Sequence, residues 1–221
     1  MRHKSGLAGA ALLAIFGCLG PAVHAQHQEP EPVPRATPGN INAMFVRAEE
    51  LRAAGDCATA SAYYYRLARR GPGFERSQYG LGLCLIGDDP PARADTRFIE
   101  GLLWLRRAGE AGLPDAQLRL AELYLHGPAA MRDSTEAAFW WTLYERNGQR
   151  RAVGYVPPDP QRLAALADIW TEDVLRAAAA RADAWQPAPW LPPDAAIGGP
   201  EGSDGAAPGH QHTGRRPPPD R

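Results

Sequence analysis

The chain has 221 residues, with 24 Lys+Arg against 25 Asp+Glu and a formal net charge of −1 at pH 7. A balance this close supplies no basic field for nucleic acid or anionic lipid, so neither is expected as a partner. Lys4 is the one lysine. With the abundance of Ala, Gly and Pro, that bias reflects a GC-rich bacterial genome rather than a function.

Residues 1–25 have the build of an export signal. Arg2, His3 and Lys4 make a basic start, Leu7 to Leu19 is an uncharged apolar run, and Val23-x-Ala25 offers small residues for cleavage. The run is shorter than the roughly 20 residues a membrane-spanning helix needs. Cleavage after Ala25 predicts a mature start at Gln26 and a periplasmic or secreted protein. A lipoprotein anchored at Cys18 is the alternative, weakened by bulky Phe16. Removal of Arg2 and Lys4 leaves 22 of the 24 basic residues against 25 acidic ones.

Residues 26–40 are Pro-rich and nearly free of large apolar side chains. They read as a linker, and residues 186–221 read as a disordered Pro/Gly-rich tail, where only Trp190, Leu191 and Ile197 would bury much surface. Between them, residues 41–185 form one domain by length. Met44, Phe45, Ala48 and Leu51 recur at helical spacing, and Gly55-Asp56 breaks the pattern before Ala58 to Ala68 resumes it. After Gly71-Pro72-Gly73 the spacing predicts helices over 74–86, 96–111 and 114–126. Asp133 with Glu136 three residues on has capping-box spacing and opens a helix bearing Trp140 and Trp141. Further helices are predicted over 159–168 and 171–185. No stretch alternates at strand period for long, which gives an all-α fold of four helix hairpins in right-handed array.

Two stretches superpose residue by residue. Leu81-Gly82-x-Cys84-Leu85 returns 39 positions on as Leu120-Ala121-x-Leu123-Tyr124. Gly101-x-x-Trp104 with Gly112 returns 36 positions on as Ala137-x-x-Trp140 with Gly148. Ala60-x-x-Tyr63 with Gly71 keeps the same internal spacing more loosely. The small residues allow close helix approach, while Tyr63, Trp104 and Trp140 fill the hollows, a packing role first and a ligand role second. A period in the high thirties is the mark of a stacked helical solenoid.

The segment from Ala116 through Leu120, Ala121, Leu123, Tyr124 and Gly127 to Ala137, Trp140 and Gly148 resembles a Sel-one-like repeat, a relative of the tetratricopeptide repeat. Residues 75–112 match with an altered loop, and residues 41–71 look nearer to a tetratricopeptide hairpin. The resemblance implies an α/α superhelix and a role in protein–protein interaction, often as an adaptor, with no cofactor. Tyr64, Tyr65, Trp141 and Tyr144 lie beside the packing positions and cannot all face inward, so they are the candidate partner-binding aromatics.

Cys57 and Cys84 remain once the leader is gone. Cys57 lies 14 residues before Gly71 and Cys84 lies 13 after it, so helices 57–70 and 74–86 folded about that turn would bring the two level. In an oxidising compartment such a pair is a disulfide candidate, with free buried thiols or redox use as alternatives.

No constellation for catalysis or metal binding stands out. Of the histidines beyond the leader, only His126 falls in the predicted core, at a helix end where it favours the dipole. His210-x-His212 is an incomplete metal site on a flexible tail. The leading expectation is a non-enzymatic exported adaptor for an unknown envelope protein or peptide. The alternatives are an envelope enzyme or activating subunit related to the cell wall, using His126 or the 87–95 loop, and a metal-handling protein using the His-x-His tail.

Overall fold

A computed structural model describes residues 32–87 and 91–193. The leader, its cleavage site, Cys18, His210 and His212 lie outside the described residues. The described residues from Val33 onward belong to one compact unit.

The described residues hold eight α-helices and no strand. They are α1 Ile41–Ala53, α2 Cys57–Ala68, α3 Glu75–Ile86, α4 Thr96–Glu110, α5 Pro114–His126, α6 Ser134–Arg146, α7 Pro160–Ala167 and α8 Glu172–Asp183. Short 3-10 turns at Ala129–Met131 and Gly148–Arg151 flank α6.

Local chemistry sets the starts. Asp56 accepts from the Thr59 N–H at 3.0 Å, Asp95 from Phe98 at 2.7 Å and Asp159 from Gln161 at 2.7 Å, each satisfying a donor that the first turn leaves without an intrahelical partner. Asp133 takes the Thr135 and Glu136 N–H groups at 2.9 and 3.0 Å. The expected reciprocal half of that capping box is replaced, because Glu136 turns its carboxylate to the Trp140 indole and to Arg181. The Asp133 N–H instead donates to the Tyr124 carbonyl.

Helices pack in series, α1 on α2, α2 on α3 and so on to α6, forming a repeat-like helical array. The closest crossing is α3 with α4. A Cβ on Gly82 would sit 2.6 Å from Leu105 Cγ and 2.9 Å from the Gly101 carbonyl oxygen, and one on Gly101 would sit 2.7 Å from Ile86 Cγ1. In the next pair the equivalent positions, Ala121 and Ala137, are both fully buried. The 39- and 36-residue offsets therefore place small, buried residues in two successive helix pairs.

The turns differ in kind. Gly71 (φ +87°) and Gly112 (φ +94°) hold a backbone conformation that residues with a Cβ rarely adopt. Gly148, expected in the same role, is exposed and opens a 3-10 turn without positive φ. Asn147 makes the stop in its place. Its Nδ2 donates to the Gly112 carbonyl and to Gln117 Oε1, both at 2.8 Å.

The fourth hairpin does not close. α8 packs on α6, whereas α7 is tied to α5 by the Arg162–Glu122 ion pair, and the two do not pack on each other as the first three pairs do. The connecting Ile169-Trp170 holds the helices apart while Leu163, Leu166, Trp170 and Leu175 still reach the core of the third pair.

Cys57 and Cys84 are joined, with Cα atoms 5.0 Å apart. The bond ties the start of α2 to the end of α3, away from the Gly71 turn. The two hydrophobic clusters meet near α3 and α4: one runs from Met44 to Trp104, the other from Ile86 to Leu166.

Residues 187–193, in a segment expected to be disordered or extended, are extended and lie on the array. The Ala188 N–H donates to the Glu110 carbonyl at 2.7 Å, and the Trp190 ring meets Trp104 edge to face at 5.7 Å. Four prolines hold this stretch extended, so ordering it costs less than composition alone suggested.

Candidate interaction surface

Of the four aromatics expected to face a partner, Tyr65 alone is exposed, at 42%. Tyr64 (0%), Trp141 (5%) and Tyr144 (0%) are buried, which corrects their assignment as contact residues. Tyr64 fills the space left by Gly80, where a Cβ would come within 2.5 Å of its ring. Its hydroxyl donates to Glu49 and accepts from Arg52 Nε at 3.3 Å. Burial, with the Glu49 bond second, raises its pKa. Trp141 and Tyr144 pack against each other, ring centroids 5.7 Å apart, on a helix flanked by α5 and α8. With neighbours on two sides, α6 has little free face.

The packing aromatics sit where the repeat reading put them. Tyr63, Trp104 and Trp140 are 5%, 5% and 1% exposed. Each indole N–H points one turn back to a carboxylate: Trp104 to Glu100 at 3.5 Å and Trp140 to Glu136 at 3.0 Å. Buried Gln78 and Gln117 donate to the Ala68 and Gly109 carbonyls at 3.3 and 3.2 Å, each three residues before a turn glycine. Both pairs keep the repeat spacings of 36 and 39 residues. They are repeat positions that the apolar pattern did not disclose; the signal was the same offset read in polar residues.

An aromatic and cationic patch lies on the outer part of α2 and α4. Tyr65 meets Trp104 edge to face at 6.1 Å, and the Arg107 guanidinium lies 4.3 Å from the Trp104 ring centroid and 4.1 Å from that of Trp190. Burial pushes the Arg107 pKa down, though acidic neighbours such as Glu100 oppose it. An arginine remains cationic regardless, so both rings face a charge of fixed sign.

Among the described residues, three of the depressions that hold polar groups lie away from residues 187–193. One of about 310 Å³ is lined by His126, Arg119, Glu122, Arg162 and Leu166. Glu122 is held there by Arg119 at 3.4 Å and by Arg162 Nη2 at 2.7 Å. A second, of about 290 Å³, lies at the 87–95 loop, where Asp95 caps α4 and Arg97 donates to the Cys84 carbonyl at 3.0 Å. The third, about 490 Å³, lies between Arg76, Pro114, Asp115 and the loop carrying Val153 and Tyr155. Burial raises the Asp115 pKa there, opposed by Arg76 and Arg162. Among the described residues no group of three or more His, Cys, Asp or Glu side chains is placed to hold a metal ion. Nor is any described helix long and apolar enough to cross a membrane.

The architecture is that of an α-helical, repeat-like array whose exposed features are an edge and shallow depressions. Over 101 residues, 44% of the chain, it is 34% identical to the chitin synthase regulator SKT5 of Saccharomyces cerevisiae, and the match covers 14% of that protein. No family model and no solved structure matches the chain.

Proposed function

We propose that this chain is an exported scaffold of the Sel-one-like, tetratricopeptide-related type, which holds another protein or peptide and performs no reaction of its own. The carrying observation is a pattern shared by two successive helix pairs: Gly82 and Gly101 at a close crossing, the fully buried Ala121 and Ala137 at the matching offsets, and a buried Gln and a Glu–Trp pair in each. Repetition of a whole packing unit builds length and surface rather than a cleft. The name of the relative fits, since it describes a regulator of a synthase. Export, read from residues 1–25, agrees with a paired Cys57 and Cys84, because such bonds persist in oxidising compartments.

The test places a photo-crosslinking residue at Tyr65 of the exported protein and compares it with the same group at Val153, which is fully exposed and not part of the patch. A defined species captured at Tyr65 and not at Val153 supports the proposal. Capture of nothing above background from envelope extract, with export verified by a mature N-terminus at Gln26, refutes it.

A second reading, an envelope enzyme or activating subunit, draws on the depression at His126. Loss of a measurable hydrolytic activity in His126→Ala would favour it over the scaffold.

A further inference from the structure

After α8 the chain turns back and follows the edge of the array marked by the turns after α4 and α2. Pro187 passes Gly112, at 3.9 Å from where a Cβ on that glycine would stand. The Ala188 N–H bonds to the Glu110 carbonyl, Trp190 settles on Trp104 and Arg107, and Pro192 Cδ lies 2.8 Å from the Cβ position of Gly71. We propose that this edge is a groove for an extended, proline-flanked aromatic peptide of a partner protein, and that residues 186–193 (QPAPWLPP) occupy it as an internal ligand which such a peptide displaces. The proposal deepens the scaffold reading and rests on it.

The groove belongs to the array rather than to its occupant. Trp104 and Tyr65 meet edge to face independently of the strap, and Arg107 is carried on the same helix face as Trp104. Gly71 and Gly112 are required by their turns; the missing Cβ of Gly71 leaves the space through which Pro192 passes, and Pro187 runs at van der Waals distance past Gly112.

The occupant has the chemistry of a ligand. Pro187, Pro189, Pro192 and Pro193 favour an extended backbone before binding, which lowers the entropy lost on docking. One aromatic anchor then meets a cation and an indole, an arrangement suited to recognition.

Its attachment is light for a purely structural element. Among the described residues it makes one backbone hydrogen bond to the array. Leu191 is 65% exposed, and Trp190 is only partly buried where Trp104 and Trp140 are 5% and 1% exposed. A tethered segment reaches an effective concentration in the millimolar range, so weak contacts suffice to hold it, and a partner peptide with a few more contacts replaces it.

The experiment measures fluorescence anisotropy of a labelled synthetic peptide with the sequence of residues 185–193, WQPAPWLPP, added to the full mature chain. Trp190→Ala, with helicity matched to the unsubstituted protein by circular dichroism, is expected to bind the peptide saturably and about tenfold or more tightly than the unsubstituted chain, whose groove is filled. Adding Arg107→Ala to Trp190→Ala is expected to remove that binding. Ala188→Pro, which keeps Trp190 but deletes the N–H bonded to Glu110, opens the groove by a smaller factor and serves if Trp190→Ala fails to fold. Equal binding to opened and unopened chains, or none to a folded opened variant, overturns the proposal. Failure here with a partner still crosslinked at Tyr65 removes the groove alone. Peptide binding without any partner removes the scaffold reading and leaves the groove.

Discussion

Replacing Gly82 by alanine adds one methyl group at the tightest crossing in the array. In an open helix the change stabilises by about 1 kcal/mol, since alanine is the better helix former. Here the new Cβ would meet Leu105 Cγ at 2.6 Å, Leu105 Cδ2 at 2.7 Å and the Gly101 carbonyl oxygen at 2.9 Å. Leu105 is fully buried, so its side chain has no room to retreat. The carbonyl belongs to α4, whose movement would open the whole pair. Overpacking of this kind costs about 1–3 kcal/mol, and the backbone contact argues for the upper half. After subtracting the propensity gain, Gly82→Ala is expected to destabilise by about 1–2 kcal/mol, which lowers Tm by roughly 2–8 °C in a fold of this size. The assay is thermal unfolding followed by circular dichroism, with the disulfide kept oxidised. Ala121→Gly at the matching position of the next pair is the control. It should lose about 1 kcal/mol from propensity and more from the packing of its buried methyl group, with no overlap to relieve. A higher Tm for Gly82→Ala would refute the close-crossing argument and with it the packing equivalence of the two repeats.

Three further outcomes follow from particular contacts. The loop closed by Cys57 and Cys84 has a sequence separation of 27, so the double alanine variant is expected to lose about 3–4 kcal/mol by the chain-entropy relation, and thiol counting on denatured, unreduced mature protein should find no free cysteine. Burial, with Asp115 adding to it, pushes the Tyr79 phenol up to about 12, against about 10 in an unfolded chain. The folded state then holds that proton more tightly, so the contribution is complete below pH of about 10 and drains away as pH rises toward 12. Tyr79→Phe should flatten the alkaline fall in urea midpoint without abolishing it, because Tyr64, Tyr124 and Tyr155 are shifted the same way; an unchanged slope would count against the burial argument. Asn147→Ala removes both bonds that join the end of α6 to Gly112 and Gln117 and leaves the buried Gln117 oxygen without that donor, a loss of about 1–3 kcal/mol measurable by thermal melting.

Helix positions were legible because their signals are local. Asp56, Asp95, Asp133 and Asp159 each precede a helix and each caps it, and Pro114 sits at a first helical position. The repeat offsets disclosed which small residues cross. What the sequence could not show is which faces are covered by distant segments. Tyr64, Trp141 and Tyr144 looked surplus to a two-sided helix, but Gly80 makes a hollow for one and α8 covers the helix that carries the others. Trp190 was singled out as able to bury surface, but nothing in the sequence showed that Trp104 and Arg107 would receive it. Prolines that argue against a core do not argue against an extended chain lying on one.

The two ends of the array explain where recognition remains open. A stacked array leaves an unpaired apolar surface at each terminus, and each must be covered by something that is not another repeat. At the start, Val33 and Ala36 fold against the first cluster, held by the Asn40 side chain, which donates to the Arg35 carbonyl at 2.8 Å. At the finish, α7 and α8 part company so that one covers α5 and the other α6, which is why Trp141 and Tyr144 are enclosed. The cost of that closure is the regular fourth hairpin, and its benefit is that both terminal surfaces are covered. Among the described residues, the edge carrying Gly71, Gly112, Trp104 and Arg107 is covered by neither end but by residues 187–193 across it. A partner that reads this protein through an extended segment therefore has to compete with that strap, and Arg107→Ala should weaken partner and strap together.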